Sequence, residues 1–245
     1  FNSNLGRVRI FVYDSNNIDK WIHVQTIQNP SSGISFGSIT SLSYDGSILA
    51  ISSPLEDSNT GKIYTYQKSS SSSDWSFLSA IEGEQIHTRI GELSLMLSND
   101  GYTLAFGTFK NYVSVYKYDT ITSSWEKMGQ NVTYIEGVSS GTSINRVNVS
   151  LSGDGKHISL GYQNNEVRVF KYDEDFSDWI QYANDVTLVG DSGDSFGISH
   201  SLSGNGDTIV IGSSESDYFA TNAGKVDVFK LFSSITRQLS SQITL

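Results

Sequence analysis

Polar and apolar positions alternate along five short stretches of this chain: Arg7-Val-Arg-Ile-Phe11, Lys62-Ile-Tyr-Thr-Tyr66, Tyr112-Val-Ser-Val-Tyr116, Glu166-Val-Arg-Val-Phe170 and Lys225-Val-Asp-Val-Phe229. A strand turns successive side chains to opposite faces, so period two reads as a strand with distinct faces. Ahead of the last four lies a shorter apolar run: Ile48–Ile51, Leu104–Phe106, Ile158–Leu160 and Ile209–Ile211. Such runs suit strands covered on both sides. Each follows a turn signature, Ser43-Tyr-Asp-Gly46, Ser98-Asn-Asp-Gly101, Ser152-Gly-Asp-Gly155 or Ser203-Gly-Asn-Gly206. Asp-Gly and Asn-Gly supply the positive φ of a tight hairpin, so a first strand precedes each turn, at Ile39–Ser43, Leu93–Ser98, Val147–Ser152 and Ile198–Ser203.

A fourth strand carries tryptophan. Trp21, Trp75, Trp125 and Trp179 stand 54, 50 and 54 residues apart, which fixes the repeat length at about 54. One such unit cannot cover both of its faces, so neighbouring units must stack. The pattern therefore predicts an all-β fold, a β-propeller of four-stranded antiparallel blades. Counting strands gives four full blades plus an N-terminal half-blade in one domain over 1–245, divided at 1–30, about 31–83, 84–137, 138–190 and 191–245. The tryptophans read as packing anchors between units. The opening half-blade, with its unpaired edge, is expected to pair with strands of a longer parent or of a neighbouring subunit.

In outline the repeat resembles the FG-GAP repeat of integrin-α-like propellers. Phe36-Gly37 and Phe196-Gly197 stand nine residues before the turn Asp or Asn, with Ile90-Gly91 and Ile144-Asn145 in the other two copies. A small-residue corner follows the second strand at Ser52-Ser-Pro54, Gly107-Thr108, Gly161-Tyr162 and Gly212–Ser214. The resemblance implies an extracellular, secreted or surface-attached adhesion module, non-catalytic and binding a protein or glycan. That family's calcium loops are not carried over. Each turn here offers one Asp or Asn, whereas Ca²⁺ takes six to eight oxygens. No cofactor and no metal site are expected. Two other readings stay open: an intracellular WD-repeat-like scaffold, and a propeller glycosidase or lyase.

Charge narrows the partners. The net charge is −10 over 245 residues, which disfavours a phosphate backbone and so excludes nucleic acid as the expected partner. No run reaches the eighteen or so apolar residues of a spanning helix. The chain has no Cys, hence no disulfide framework. The four histidines, His23, His87, His157 and His200, show no ligand spacing, and no catalytic residue is assigned. Asp173, Glu174, Asp175 and Asp178 read as a solvated hairpin tip, and Ser69–Ser73 as a flexible loop. The candidate ligand face is the long loop before the fifth alternating strand, with Asp217, Tyr218 and Phe219, joined by Asp191 and Asp194. Two sequons, Asn131-Val-Thr133 and Asn148-Val-Ser150, make both asparagines glycosylation candidates.

Overall fold

The computed structural model describes residues 6–16, 20–31, 34–70, 74–133, 147–162, 165–182, 187–218 and 220–231. Ile144-Asn145 and Phe219, both weighed above, lie outside them. The described chain is all-β apart from one short turn. Its strands are β1 (Arg7–Tyr13), β2 (Trp21–Gln28), β3 (Thr40–Leu42), β4 (Ile48–Ser53), β5 (Lys62–Lys68), β6 (Trp75–Glu82), β7 (Leu95–Leu97), β8 (Thr103–Gly107), β9 (Tyr112–Asp119) and β10 (Ser124–Lys127). They continue with β11 (Val132–Thr133), β12 (Val147–Leu151), β13 (His157–Tyr162), β14 (Glu166–Asp173), β15 (Asp178–Gln181), β16 (Thr187–Val189), β17 (Phe196–Leu202), β18 (Thr208–Ser213) and β19 (Lys225–Lys230).

These strands form five separate antiparallel sheets, none closed: β1–β2, β3 to β6, β7 to β11, β12 to β16 and β17 to β19. This corrects the expected propeller of four complete four-stranded blades after a half-blade. Only the second sheet has four strands; the third and fourth have five, and the fifth has three among the described residues. The extra strands arise because the tryptophan strand breaks in two. β10 pairs with the far half of β9 and β11 with its near half. Between them the chain bends at Gly129, φ +76°, to reach the next sheet. There the Met128 carbonyl accepts from the Trp179 indole at 2.7 Å, and the Gln130 amide donates to Asp178 at 2.9 Å. β15 and β16 share β14 in the same way.

Each Ser-x-Asp-Gly turn is held by its serine. The Ser98 hydroxyl donates to Asp100 and accepts the Thr103 amide at 2.9 Å, while the Gly101 amide donates to the Ser98 carbonyl. Ser43, Ser152 and Ser203 repeat the arrangement. The turns are also stitched to one another through Tyr44 N to Asn99 O, Asn99 N to Gly153 O and Asp154 N to Gly204 O. That end of the array is therefore closed over by main chain, and the longer loops lie at the opposite end of the strands.

Apolar cores fill the four spaces between successive sheets. In each third strand the valine-type positions, Ile63, Val113 and Val167, face the following sheet, while Tyr64, Tyr66 and Phe170 face the preceding one. The tryptophans act as anchors where a sheet precedes them. Trp125 donates its indole N–H to the Thr65 hydroxyl at 3.0 Å, and the Trp75 backbone exchanges two hydrogen bonds with the Gln25 carboxamide. Trp21, which has no such neighbour among the described residues, stands exposed. The Phe-Gly signature also gains a reason. Gly37, Gly91 and Gly197 take positive φ, and a Cβ on them would sit within 3.1 Å of Val8, 2.7 Å of Ser52 and 2.5 Å of Val167 respectively. The glycine lets each sheet's entry segment close on the sheet before it.

Candidate active site

At the loop end, three segments meet between the second and third sheets: the β4–β5 loop, the β6–β7 connection and the β8–β9 turn. Their main chains are bonded directly, Arg89 N to Asn59 O, Ile90 N to Thr60 O, Gly83 N to Gly61 O and Phe109 N to Thr88 O. The backbone there is unusual. Asp57, Ser58 and Asn59 form a left-handed turn with φ of 48°, 59° and 64°, and His87, Arg89 and Asn111 also take positive φ. Non-glycine residues in this region cost on the order of 1–3 kcal/mol each and persist where the surroundings over-determine them.

This cluster holds two carboxyl groups with an unspent oxygen. Glu56, almost fully buried, accepts the Tyr64 hydroxyl at 2.5 Å through Oε1, while its Oε2 has no hydrogen-bond partner. Burial, then the bond to Glu56, pushes the Tyr64 phenol far above its ordinary range, so it stays a donor. Glu92 accepts from Arg89 Nη1 at 3.2 Å through Oε1, leaving Oε2 and Arg89 Nε unbonded. The two side chains are 27% and 29% exposed, so the pair reaches the surface while those atoms stay shielded. The Arg89 guanidinium lies 4.7 Å above the Phe109 ring centroid, which fixes its plane. Lys110 donates to Gln85 at 3.1 Å on the outer side. Tyr116, deeper in the same interface, is pushed up to about 12 by burial. Unsatisfied buried carboxyl oxygens are uncommon in folded proteins, and each calls for an explanation.

The residues expected from sequence to form a ligand face lie elsewhere, at the loop end of the fifth sheet. Asp191 is exposed and its carbonyl accepts the Asp194 amide, while buried Asp194 accepts the Glu215 amide through its own carbonyl. Asp217 accepts the Asn222 amide at 2.7 Å, and exposed Tyr218 has the Lys225 ammonium 5.7 Å from its ring centroid. The structure thus brings the 191–194 turn against the 215–222 loop, held by the carbonyls of Asp191 and Asp194 and by the Asp217 carboxylate. Both sequon asparagines spend their side chains on neighbours: Asn131 accepts the Ser114 hydroxyl at 2.6 Å, and Asn148 donates to the Ile198 carbonyl at 2.7 Å. Among the described residues, no three His, Asp or Glu side chains converge as a metal site, and no helix is long and apolar enough to cross a membrane.

Sequence reasoning missed Glu56, Arg89 and Glu92. The Arg89–Glu92 spacing, in a connection between strands, carries no motif, and the left-handed run at 57–59 contains no glycine to announce it.

No protein-family model matches this sequence, and no match is found among curated proteins. The fold does recur in solved structures. The periplasmic gluconolactonase PpgL of Pseudomonas aeruginosa aligns with 99% of this chain at 17% identity and a TM-score of 0.59. A candidate 6-phosphogluconolactonase from Bacteroides uniformis ATCC 8492 aligns with 98% at 11% identity and 0.58. Hsv2 of Kluyvelomyces marxianus aligns with 76% at 14% identity and 0.51. This chain spans 64%, 67% and 54% of the lengths of those three proteins. At such identities the likeness is one of fold. It nonetheless corrects the FG-GAP resemblance and the non-catalytic adhesion, glycoprotein reading drawn from it: two of the three neighbours are named lactonases, and none is an integrin-like repeat. It also sets a periplasmic protein among those that share the fold.

Proposed function

We propose that the chain hydrolyses a sugar lactone at the Arg89–Glu92 cluster. The observation that carries this reading is the partly exposed ion pair in which Glu92 Oε2 and Arg89 Nε are shielded and unbonded among strained loops. Lactone opening asks for a base to take a proton from water and a cation to hold the oxyanion. In this reading the Glu92 carboxylate removes the proton as the water oxygen attacks the lactone carbonyl carbon. Arg89, its plane set by Phe109, stabilises the negative oxygen of the tetrahedral intermediate. Collapse breaks the bond from that carbon to the ring oxygen, which receives the proton from Glu92, and the product is an open hydroxy acid. The names of two fold neighbours support the substrate class. The periplasmic origin of one supports a location outside the cytosol.

The test is a pH-stat assay on glucono-1,5-lactone, corrected for its spontaneous opening, with the 6-phosphorylated lactone alongside. Glu92→Gln should lower kcat by about a hundredfold or more, the usual worth of a positioned base, with an unchanged melt. Arg89→Met should lower kcat similarly, with little change in KM, because the oxyanion exists only after attack. Wild-type rates no faster than the background on either lactone would sink the proposal.

A further inference from the structure

The joints between successive sheets repeat the same places, and one joint fills them differently. The turn glycine of each later sheet rests on the residue that opens the second strand of the sheet before it. A Cβ on Gly101 would stand 2.7 Å from Ile48, on Gly155 2.6 Å from Thr103, and on Gly206 2.3 Å from His157. Three residues before the turn serine, Leu95 belongs to the core between the second and third sheets and Val149 to the core between the third and fourth. His200 takes that place between the fourth and fifth. Both histidines whose pKa is lowered by burial therefore lie in one joint, where the two preceding joints hold side chains that do not titrate.

Neither charge state of His200 suits its surroundings. Its Nδ1 stands 2.9 Å from the Gly197 carbonyl oxygen, and its Nε2 stands 3.1 Å from that of Ser159 on the preceding sheet. A neutral imidazole has one N–H, so one of the two carbonyls faces a lone pair. The imidazolium would serve both, but it would set a charge in a joint whose core is Val167, Ile209, Ile211 and their neighbours. Burial outweighs the two bonds. At the turn end, His157 meets Tyr182 edge-on at 5.5 Å, with Lys171 and Lys156 opposing its charge and Asp154, 3.8 Å away, favouring it. From β19 the Lys225–Asp227 ion pair, at 3.1 Å, faces the same joint. The joint is poorly satisfied besides. The hydroxyls of Ser159 and Ser213 and one carboxylate oxygen of Asp227 are buried without a hydrogen-bond partner.

We propose that the joint between the fourth and fifth sheets is acid-sensitive, so that proton uptake by His157 and His200 parts these two sheets while the joint between the second and third stays closed. Opening brings both rings to water, where each takes a proton at its ordinary value. Below about pH 6.5 the open state thus binds more protons than the closed one, and closure weakens as the pH falls. Above that value the contribution of the two rings to closure is complete. The turn carboxylate Asp207 of the fifth sheet, held low chiefly by the Thr208 hydroxyl, acts only at and below 3.8 and leaves this window clear.

Matched main-chain amides cross the two joints and provide the test. Leu202 N donates to the Ser150 hydroxyl and Asp154 N to the Gly204 carbonyl between the fourth and fifth sheets. Leu97 N donates to the Ser41 hydroxyl and Tyr44 N to the Asn99 carbonyl between the second and third. Hydrogen exchange is followed by NMR at pH 7.5 and pH 5, each rate being compared with the intrinsic rate at that pH. Protection of Leu202 and Asp154 should fall by about tenfold or more on acidification, and that of Leu97 and Tyr44 by no more than about twofold. The double variant His157→Thr, His200→Val, which gives this joint the residues of the one before it, should remove the difference. A fall of equal size in both joints would overturn the proposal, as would unchanged protection throughout. A double variant that folds and keeps the wild-type loss would overturn it too. Should that variant not fold, the matched amides of the wild type decide alone.

Discussion

The first and third sheets use the same alternation, Arg7-Val-Arg-Ile-Phe11 in one and Tyr112-Val-Ser-Val-Tyr116 in the other, each followed by a tryptophan strand. In the third sheet Trp125 is buried, packs edge-on to Tyr118 at 5.3 Å and donates its indole N–H to Thr65 on the preceding sheet. In the first, Trp21 makes the equivalent edge-on pair with Tyr13 at 5.4 Å and lies open. The partner within the sheet is the same, so the difference comes wholly from the neighbouring sheet. A repeat specifies the shape of an interface, and burial is then decided by what stands across it.

The comparison breaks most visibly by mutation of the two tryptophans. Trp125→Ala removes a buried aromatic and leaves the Thr65 hydroxyl without its donor, so urea unfolding should register a loss of about 3–5 kcal/mol. Trp21→Ala, in dilute protein, should stay within about 0.5 kcal/mol of wild type, as surface changes do. Equal losses would mean that Trp21 is covered in solution by the chain itself.

Glycines sharpen the same contrast between covered and open places. Gly46 and Gly91 share nearly the same φ, +66° and +69°. A Cβ on Gly46 meets nothing within 4 Å, whereas on Gly91 it stands 2.7 Å from the Ser52 Cβ. Gly46→Ala should therefore cost about 1–2 kcal/mol, the left-handed penalty alone. Gly91→Ala should add about 1–3 kcal/mol for forcing a methyl into a packed sheet interface. Indistinguishable melts would show that the entry segment of the third sheet is free to back away.

Much of this fold was legible in the sequence because it is written in local chemistry. Period-two alternation placed β5, β9, β14 and β19, and the three Ser-x-Asp-Gly turns with their Ser-Gly-Asn-Gly counterpart placed the hairpins beside them. The broken tryptophan strands were not legible. They depend on the Trp179 indole and on Asp178 reaching back across sheets to Met128 and Gln130, about fifty residues away in sequence. The candidate site escaped for a related reason. Glu56 and Arg89 come from different connections, and what joins them is main-chain bonding between loops that no residue type announces. Of the aspartates at 191, 194 and 217, composition suggests ligands; in the structure the Asp217 carboxylate takes a main-chain amide, while Asp191 and Asp194 take theirs on their own carbonyls. The non-catalytic reading rests on the FG-GAP resemblance, which the repeating positions carry, and passes over a connection in which nothing repeats.

The smallest expected effect asks whether the sheet interiors are as dry as the buried tryptophans imply. His157 opens β13 with its side chain mostly covered, edge-on to Tyr182 at 5.5 Å and backed by Gly206. Burial lowers its pKa below the usual 6.5, and nearby Lys171 and Lys156 act in the same direction against the raising effect of Asp154, 3.8 Å away. Below the ordinary value, the unfolded chain therefore binds a proton that the folded chain resists. The unfolded state then holds more protons than the native one, so stability rises with pH across that window. The contribution of His157 is complete above about pH 6.5 and is lost as the pH falls toward its depressed folded value. His200 is shifted the same way by burial in the same interface, so it adds to the slope. The turn carboxylate Asp45, held low chiefly by the Ser43 hydroxyl, acts in a separate window, at and below its ordinary value of 3.8. Melts of wild type and His157→Asn, taken from pH 7.5 down to pH 5, isolate the imidazole. The wild type should lose stability more steeply, by an increment smaller than the glycine difference above. Parallel curves would mean that water reaches His157, and that the fourth sheet is more open at its turn end than Trp125 shows the third to be.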